Sequence, residues 1–399
     1  MALFLIEMKI LFIHHDRKMK TGAHYVNDII VKGLRRAGFT VDNVYPEEDL
    51  GYFPPLLSGI KNILFFFSLI ERKKDIDSYD IIQGTTYSPL AFLHSKVPVI
   101  SMFGSTTYGF LKHTSTLKGL AKEKPELAKI FGELKDAGIF NCLVPPKQPF
   151  KDTSRIEFHV AKNSSKVIVT SAIVRDELVK NGVPPEKIAF VWNGIENFWF
   201  HARQRKRVKK NANIVYLGRI GETAFNVKLK GVNRMIYVMR NLPSFDKLVI
   251  GLTKKVEEYT KIFSEIPRLQ FLPNLKRRKI PRILEKHFGD IIINTSRYEG
   301  FSLSLVEAMS QGLIPITFPV GVAPEVIKNG ENGFLVNNMR QMVHRISKLQ
   351  QDVKTRANMA KAAFETARMF RADDMVKKYI EVYNSVKGAN LPPAPAVSP

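Results

Sequence analysis

Two glutamates, Glu299 and Glu307, stand in the run Glu299-Gly300-Phe301-Ser302-Leu303-Ser304-Leu305-Val306-Glu307-Ala308-Met309. The run follows Asp290-Ile291-Ile292-Ile293-Asn294, an apolar stretch that reads as a buried strand passing into the polar Thr295-Ser296. Gly312 then stops a short helix before the next apolar stretch, Leu313-Ile314-Pro315-Ile316-Thr317. A helix that starts just past a strand presents unsatisfied N–H groups and a partial positive charge, which suits a diphosphate. Glu299 falls in the loop before that helix and Glu307 about one turn inside it, so the two carboxylates can address different hydroxyls of one elongated ligand. Ser304 and Glu307 by themselves also fit a helix capping box.

The elements that must position these residues alternate between strand-like and helix-like patterns, which predicts parallel sheets covered by helices. Strands are expected at Lys9–His14, from Phe39, and at Tyr79–Gln83, Val97–Ser101, Lys166–Ser171 and Ile188–Trp192. Gly22-Ala23 opens a helix toward Arg35-Arg36-Ala37 that Gly38 stops. A polar, basic stretch between Asn197 and Asn213 reads as a linker, and the rhythm restarts with strands at Ile214–Gly218 and Lys247–Gly251. Residues 8–195 and 212–370 are therefore expected to form two Rossmann-like, doubly wound α/β domains. Met375, Val376, Tyr379, Ile380 and Tyr383 sit at helical spacing within 371–388. In such sheets ligands bind beyond the carboxyl ends of the strands.

Bulk composition narrows the classes. A chain of 399 residues is long for one core, and 45% apolar with 25% charged residues is globular. The single cysteine, Cys142, rules out an internal disulfide framework and fits a cytoplasmic setting. No apolar run reaches the roughly 18 residues of a membrane span. Met1–Glu7 reads as an extension before a start near Met8, and Leu391–Pro399 as a disordered tail. The net charge of +24 asks for an anionic partner. The aromatics fall in apolar patterns and do not interleave with Lys and Arg, so a specific nucleic-acid role is not expected. The run Pro55–Ile70, followed by Glu71-Arg72-Lys73-Lys74, leaves Phe65, Phe66 and Leu69 in surplus of one core face. That surplus, with Lys112, Lys118, Lys122 and Lys124, makes an anionic membrane surface a candidate partner and peripheral attachment a candidate setting. His14-His15-Asp16 and Asp75-Ile76-Asp77 look metal-like; they read as strand-end polarity and as a charged turn, so no metal site is expected.

With its ordered motifs the chain resembles the family-4 glycosyltransferases of the GT-B fold. Glu299 and Glu307 match the family's Glu, seven residues, Glu. Asn193-Gly194-Ile195-Glu196 is similar to its Asn-Gly-hydrophobic-acid turn. Gly218-Arg219 and Lys230-Gly231 resemble its phosphate-binding pair, and Pro324-Glu325-Val326-Ile327 with Gly330, Gly333, Phe334 and Leu335 its following segment. Gly22-Ala23 resembles the glycine loop of the first domain. The resemblance implies two Rossmann-like domains facing across a cleft, with the last helix returning to the first domain. It implies a retaining, metal-independent transfer of a sugar from a nucleotide-diphosphate donor of UDP or GDP type, with no cofactor, to a glycan, glycolipid or small molecule.

By the same resemblance Glu299 contacts the donor sugar and Glu307 the ribose hydroxyls. Arg219 and Lys230 neutralise the departing diphosphate, which replaces the charge stabilisation of a metal. The backbone from Gly300 through Phe301, Ser302 and Leu303 binds phosphate or sugar oxygens, and Gly22 and Gly104 line the substrate. The chain departs from the family in three places, one of them the helix start, which reads Ser302-Leu303-Ser304 where Gly-Leu-Pro or similar is usual. Met102-Phe103-Gly104 stands where a His-Gly is usual, and the Arg219–Lys230 stretch is long, which makes Lys228 a second candidate for the lysine. A sugar-nucleotide epimerase of the same fold, a basic nucleic-acid binder and an inactive relative are the competing readings.

Overall fold

A computed structural model describes residues 8–15, 22–45, 69, 73–114, 116–141, 147–200 and 207–387. These residues form two compact units: those within 1–111, 146–194 and 370–399 make the first, and those within 112–145 and 195–369 the second.

The first unit holds a six-stranded parallel sheet. Its strands are β1 (Lys9–Ile13), β2 (Thr40–Val44), β3 (Ile81–Thr85), β4 (Val99–Phe103), β5 (Lys166–Val169) and β6 (Ile188–Phe190), in the order β2-β1-β3-β4-β5-β6. β3 and β4 are buried at every position, as strands covered on both faces must be. The helix Gly22–Arg36 buries Val26, Ile29, Ile30 and Leu34 at helical spacing. The chain then reverses through Gly38, whose φ of +91° favours glycine.

The helix Ala372–Lys387 closes this unit, burying Met375, Val376, Tyr379, Ile380 and Tyr383. A side chain at Gly33 would meet a Val376 methyl 2.3 Å away, so glycine is what lets the two helices approach. Tyr383 Oη donates to Gln83 Oε1 on β3. Because Val376 is stiff at χ1, Gly33→Leu is expected to cost on the order of 1–3 kcal/mol. An unchanged urea midpoint would contradict that packing. Leu69 is 4% exposed within the cluster of Leu11, Ile13, Ile76 and Phe92, which corrects the expectation that it is surplus to the core. The rest of the Pro55–Lys74 run, Lys73 and Lys74 backbone apart, lies outside the described residues.

The second unit holds β7 (Ile214–Arg219), β8 (Lys247–Leu252), β9 (Leu269–Pro273), β10 (Ile291–Asn294), β11 (Ile314–Thr317) and β12 (Phe334–Leu335). All pair in parallel, in the order β12-β11-β10-β7-β8-β9. Residues 117–141, which precede β5 in the chain, also fold here. Leu120, Ile130, Phe131, Leu134 and Phe140 share a core with Val232, Met235, Ile236 and Met239. Asn233 Nδ2 donates to the Leu127 carbonyl at 3.0 Å, and Arg240 pairs with Glu133 at 2.7 Å. Among the described residues no helix is long and apolar enough to cross a membrane.

Candidate functional site

In the second sheet β7 and β10 are neighbours, and the polar motifs follow their carboxyl ends. β10 ends at Asn294, and the helix Leu303–Met309 begins after the Thr295–Ser302 loop. Ser302, the residue before that helix, is left-handed at φ 79° and ψ 68°. A non-glycine residue there stores strain, and strain of this kind collects at ligand sites. Its Oγ accepts from Asn294 Nδ2 at 2.9 Å and does not cap the helix. No capping box forms around Ser304, and Glu307 points elsewhere.

Lys230 and Glu299 meet in this loop. Lys230 Nζ donates to Glu299 Oε1 at 2.8 Å and Oε2 at 2.9 Å, and Ser296 Oγ donates to Oε1 at 2.7 Å. The pair is partly buried, at 24% and 16% side-chain exposure, so a bound ligand can still reach it. Glycine follows Lys230 for a reason. Gly231 is left-handed at φ 62°, and a side chain there would sit 1.9 Å from the Thr295 carbonyl oxygen. The Arg297 N–H donates to the Leu229 carbonyl at 2.8 Å, fixing the same two segments together. Gly231→Ala is expected to cost on the order of 2 kcal/mol or more and to shift Lys230 off Glu299. A variant with wild-type denaturation behaviour would contradict that account.

Gly218 closes the same corner. A side chain on it would lie 3.8 Å from Ser304 Oγ, which puts the end of β7 beside the first turn of the Leu303–Met309 helix. Arg219 follows at the end of β7 and is exposed. Tyr216 lies beneath, and burial, then the Glu299 charge, raises its phenol above the ordinary value. Gly300 and Phe301 are buried, and Leu303 is half-buried. The Phe301 carbonyl accepts from the Val322 N–H at 2.9 Å, and Gly321 packs against that carbonyl.

Lys228 goes elsewhere. It is 4% exposed, its ammonium lies 4.8 Å over the Phe131 ring, and burial lowers its pKa. The structure thus brings together Lys230, not Lys228, with Glu299.

Glu307 is 4% exposed, and Arg277 Nη1 pairs with its Oε1 at 2.5 Å. Arg277 also makes a two-pronged contact with Glu196, Nε to Oε1 at 2.9 Å and Nη2 to Oε2 at 2.8 Å. Burial pushes the Glu307 carboxyl above its usual range, and Arg277 opposes that rise. Arg277 falls in the basic run Arg277-Arg278-Lys279, and nothing in its spacing marked it. Arg297, a lone cation between Ser296 and Tyr298, carries no spacing signal either. It is buried and donates to the Lys228 carbonyl at 2.7 Å, Asn233 Oδ1 at 3.1 Å and Glu123 Oε2 at 2.9 Å.

The remaining candidates belong to the first unit. Gly22 begins its helix. Gly104 follows β4 with open space where a side chain would be. Phe103 is fully buried against Ala161, Val167 and Val174, so it is a core residue of this unit. Thr107 donates through both its N–H and its Oγ1 to Glu157 at 2.8 Å, and burial pushes that carboxyl up to about 7. His14 hydrogen-bonds Asn43 and Asn27, stacks on Tyr45, and is pushed down by burial to about 4. A histidine buried neutral loses its contribution to stability as pH falls through its unfolded value, from about 6.5 toward 4. The loss there should be on the order of 3 kcal/mol. Denaturation midpoints at pH 7 and 4.5 measure it, and His14→Asn should remove that part of the slope. Among the described residues no group of three His, Cys, Asp or Glu is placed to hold a metal.

Residues 197–366 match the family described as "Glycosyl transferases group 1", and residues 21–197 match "Glycosyltransferase Family 4". The chain is 26% identical over 218 residues to a sulfoquinovosyl transferase of Arabidopsis thaliana, covering 51% of this chain and 41% of the relative. It is 24% identical over 246 residues to an N-acetyl-alpha-D-glucosaminyl L-malate synthase of Bacillus anthracis, covering 58% and 62%. The chain thus spans less than two thirds of either relative. Sucrose-phosphate synthase from Thermosynechococcus elongatus superposes with a TM-score of 0.73 at 15% identity, over 95% of this chain and 99% of the other. Anabaena HepE, solved with UDP and glucose, superposes at 0.65 and 17% identity, over 95% and 100%.

Proposed function

This chain belongs to the family-4 glycosyltransferases of GT-B fold, and from that premise we propose that it transfers a sugar from a nucleoside diphosphate sugar with retention of anomeric configuration. The observation that carries the reading is the Lys230–Glu299 pair, held in the loop before the Leu303–Met309 helix with Gly218-Arg219 at its side. A phosphate arriving between Lys230 and Arg219 would take over the lysine and release Glu299 toward the sugar. Two cations aimed at the departing diphosphate stabilise the charge that develops there, and no metal ion is needed for that step. Glu307 accepts from the ribose hydroxyls. UDP is the first donor base to test, because HepE was solved with UDP-glucose.

The expected result of a thermal-shift screen with UDP, GDP, ADP and their sugars is stabilisation by one base. At a hundred times its dissociation constant that ligand contributes about 2.7 kcal/mol. A flat screen would overturn the reading. The anomeric configuration of the product, read by NMR, tests retention, and full activity in EDTA tests metal independence. A glycan, glycolipid or small molecule is the acceptor, and co-sedimentation with anionic vesicles at low salt selects the lipid-linked class. No binding there points to a soluble acceptor.

A further inference from the structure

Glu307 has a cationic partner whose own anchor lies outside the diphosphate site. Arg277 spends all three guanidinium nitrogens on two carboxylates, Nη1 on Glu307 and the Nε–Nη2 edge on Glu196. Such a two-pronged contact fixes the plane of the guanidinium as well as its position. The Trp199 ring lies 5.2 Å from Cζ and blocks a further degree of freedom. Gln311 Nε2 donates to the Trp199 carbonyl, so the Glu196–Trp199 segment is itself tied down. We propose that Arg277 is a positioning residue, which, anchored on Glu196, sets the Glu307 carboxylate to accept from the vicinal hydroxyls of a nucleoside's ribose.

The proposal rests on the nucleotide-sugar reading above. Its physical basis is charge. A buried carboxylate without a cation takes up a proton, and a protonated carboxyl has one fewer oxygen free to accept. Burial pushes Glu307 up, Arg277 opposes it, and Glu196 adds to it. Burial also pushes Glu196 up, but its contacts with Arg277 more than reverse that and keep it ionised. The elements around the Leu303–Met309 helix bring no competing charge. β10 and β11 carry none, and β7 ends on exposed Arg219. The helix Val353–Ala367 directs Arg356 to the carbonyls of Gly289, Lys209 and Lys210. Arg277 is therefore the cation that opposes protonation of Glu307 and favours its two-oxygen acceptor form. Inorganic diphosphate has no ribose and does not use this contact.

The experiment is calorimetric titration of the full chain with UDP, GDP, ADP and inorganic diphosphate between pH 6 and 9. Wild type is compared with Arg277→Gln, Arg277→Lys and the Arg277→Gln, Glu307→Gln double variant. Arg277→Gln should raise the Kd of the nucleotide the wild type prefers on the order of 10- to 100-fold at pH 7, with diphosphate binding within about twofold. Its deficit relative to wild type should shrink as pH rises and Glu307 loses its proton. The double variant should lose that pH dependence, and Arg277→Lys, which keeps the charge, should recover part of the affinity. Where Arg277→Gln fails to fold by circular dichroism, Glu196→Gln carries the same comparison. Equal loss of nucleotide and diphosphate, unchanged nucleotide affinity, or a pH-independent deficit would each overturn the proposal. Absence of nucleotide binding by the wild type instead overturns the reading beneath it.

Discussion

Arg219→Ala is expected to lower turnover at saturating donor on the order of 100- to 1000-fold and to leave the protein folded. The reason is where Arg219 stands. It is exposed at the carboxyl end of β7, next to Gly218, and Gly218 abuts the first turn of the Leu303–Met309 helix. An exposed side chain there adds little to stability, and its removal should cost within about 0.5 kcal/mol. In the proposed reaction its charge matters when the sugar–phosphate bond breaks and negative charge accumulates on the diphosphate. An interaction that strengthens in the transition state shows in kcat more than in KM. Turnover is measured at several donor concentrations, with urea denaturation of the same preparation. Full activity at saturating donor would remove Arg219 from the mechanism.

The second large effect separates the two glutamates. Glu299→Gln is expected to reduce turnover by a similar factor, because the residue lies with Lys230 and Ser296 where the proposal puts the reacting sugar. Gln keeps the shape of the side chain and removes the charge. Glu307→Gln is expected mainly to raise the donor KM, because a ribose contact persists unchanged from ground state to transition state. The same substitution leaves Arg277 facing one carboxylate, Glu196, instead of two. Its stability should therefore be followed beside its kinetics. If Glu307→Gln lowers kcat and Glu299→Gln raises KM, the two roles are exchanged.

Much of the architecture was legible in the sequence because buried parallel strands leave apolar runs with little else in them. Ile291–Asn294 and Ile314–Thr317 are examples, buried at every position. The Gly22–Arg36 and Ala372–Lys387 helices were legible from the spacing of their apolar residues. β9 was not, because Leu269–Pro273 is an edge strand that is half-buried to exposed throughout. β12 is two residues long and leaves no periodicity to read.

The acidic motif and its cations were also visible as residue types in order. Their pairing was not. Sequence spacing left Lys228 and Lys230 open, and the left-handed Gly231 against the Thr295 carbonyl decided it by carrying Lys230 to Glu299. Only the folded chain joins Glu307 to Arg277 and Arg277 to Glu196, since these charges come from three separate segments. Only the folded chain places residues 117–141 with the second unit. Their apolar face is satisfied by Met235 and Ile236, more than 90 residues later, and periodicity records that a face is apolar but not what covers it.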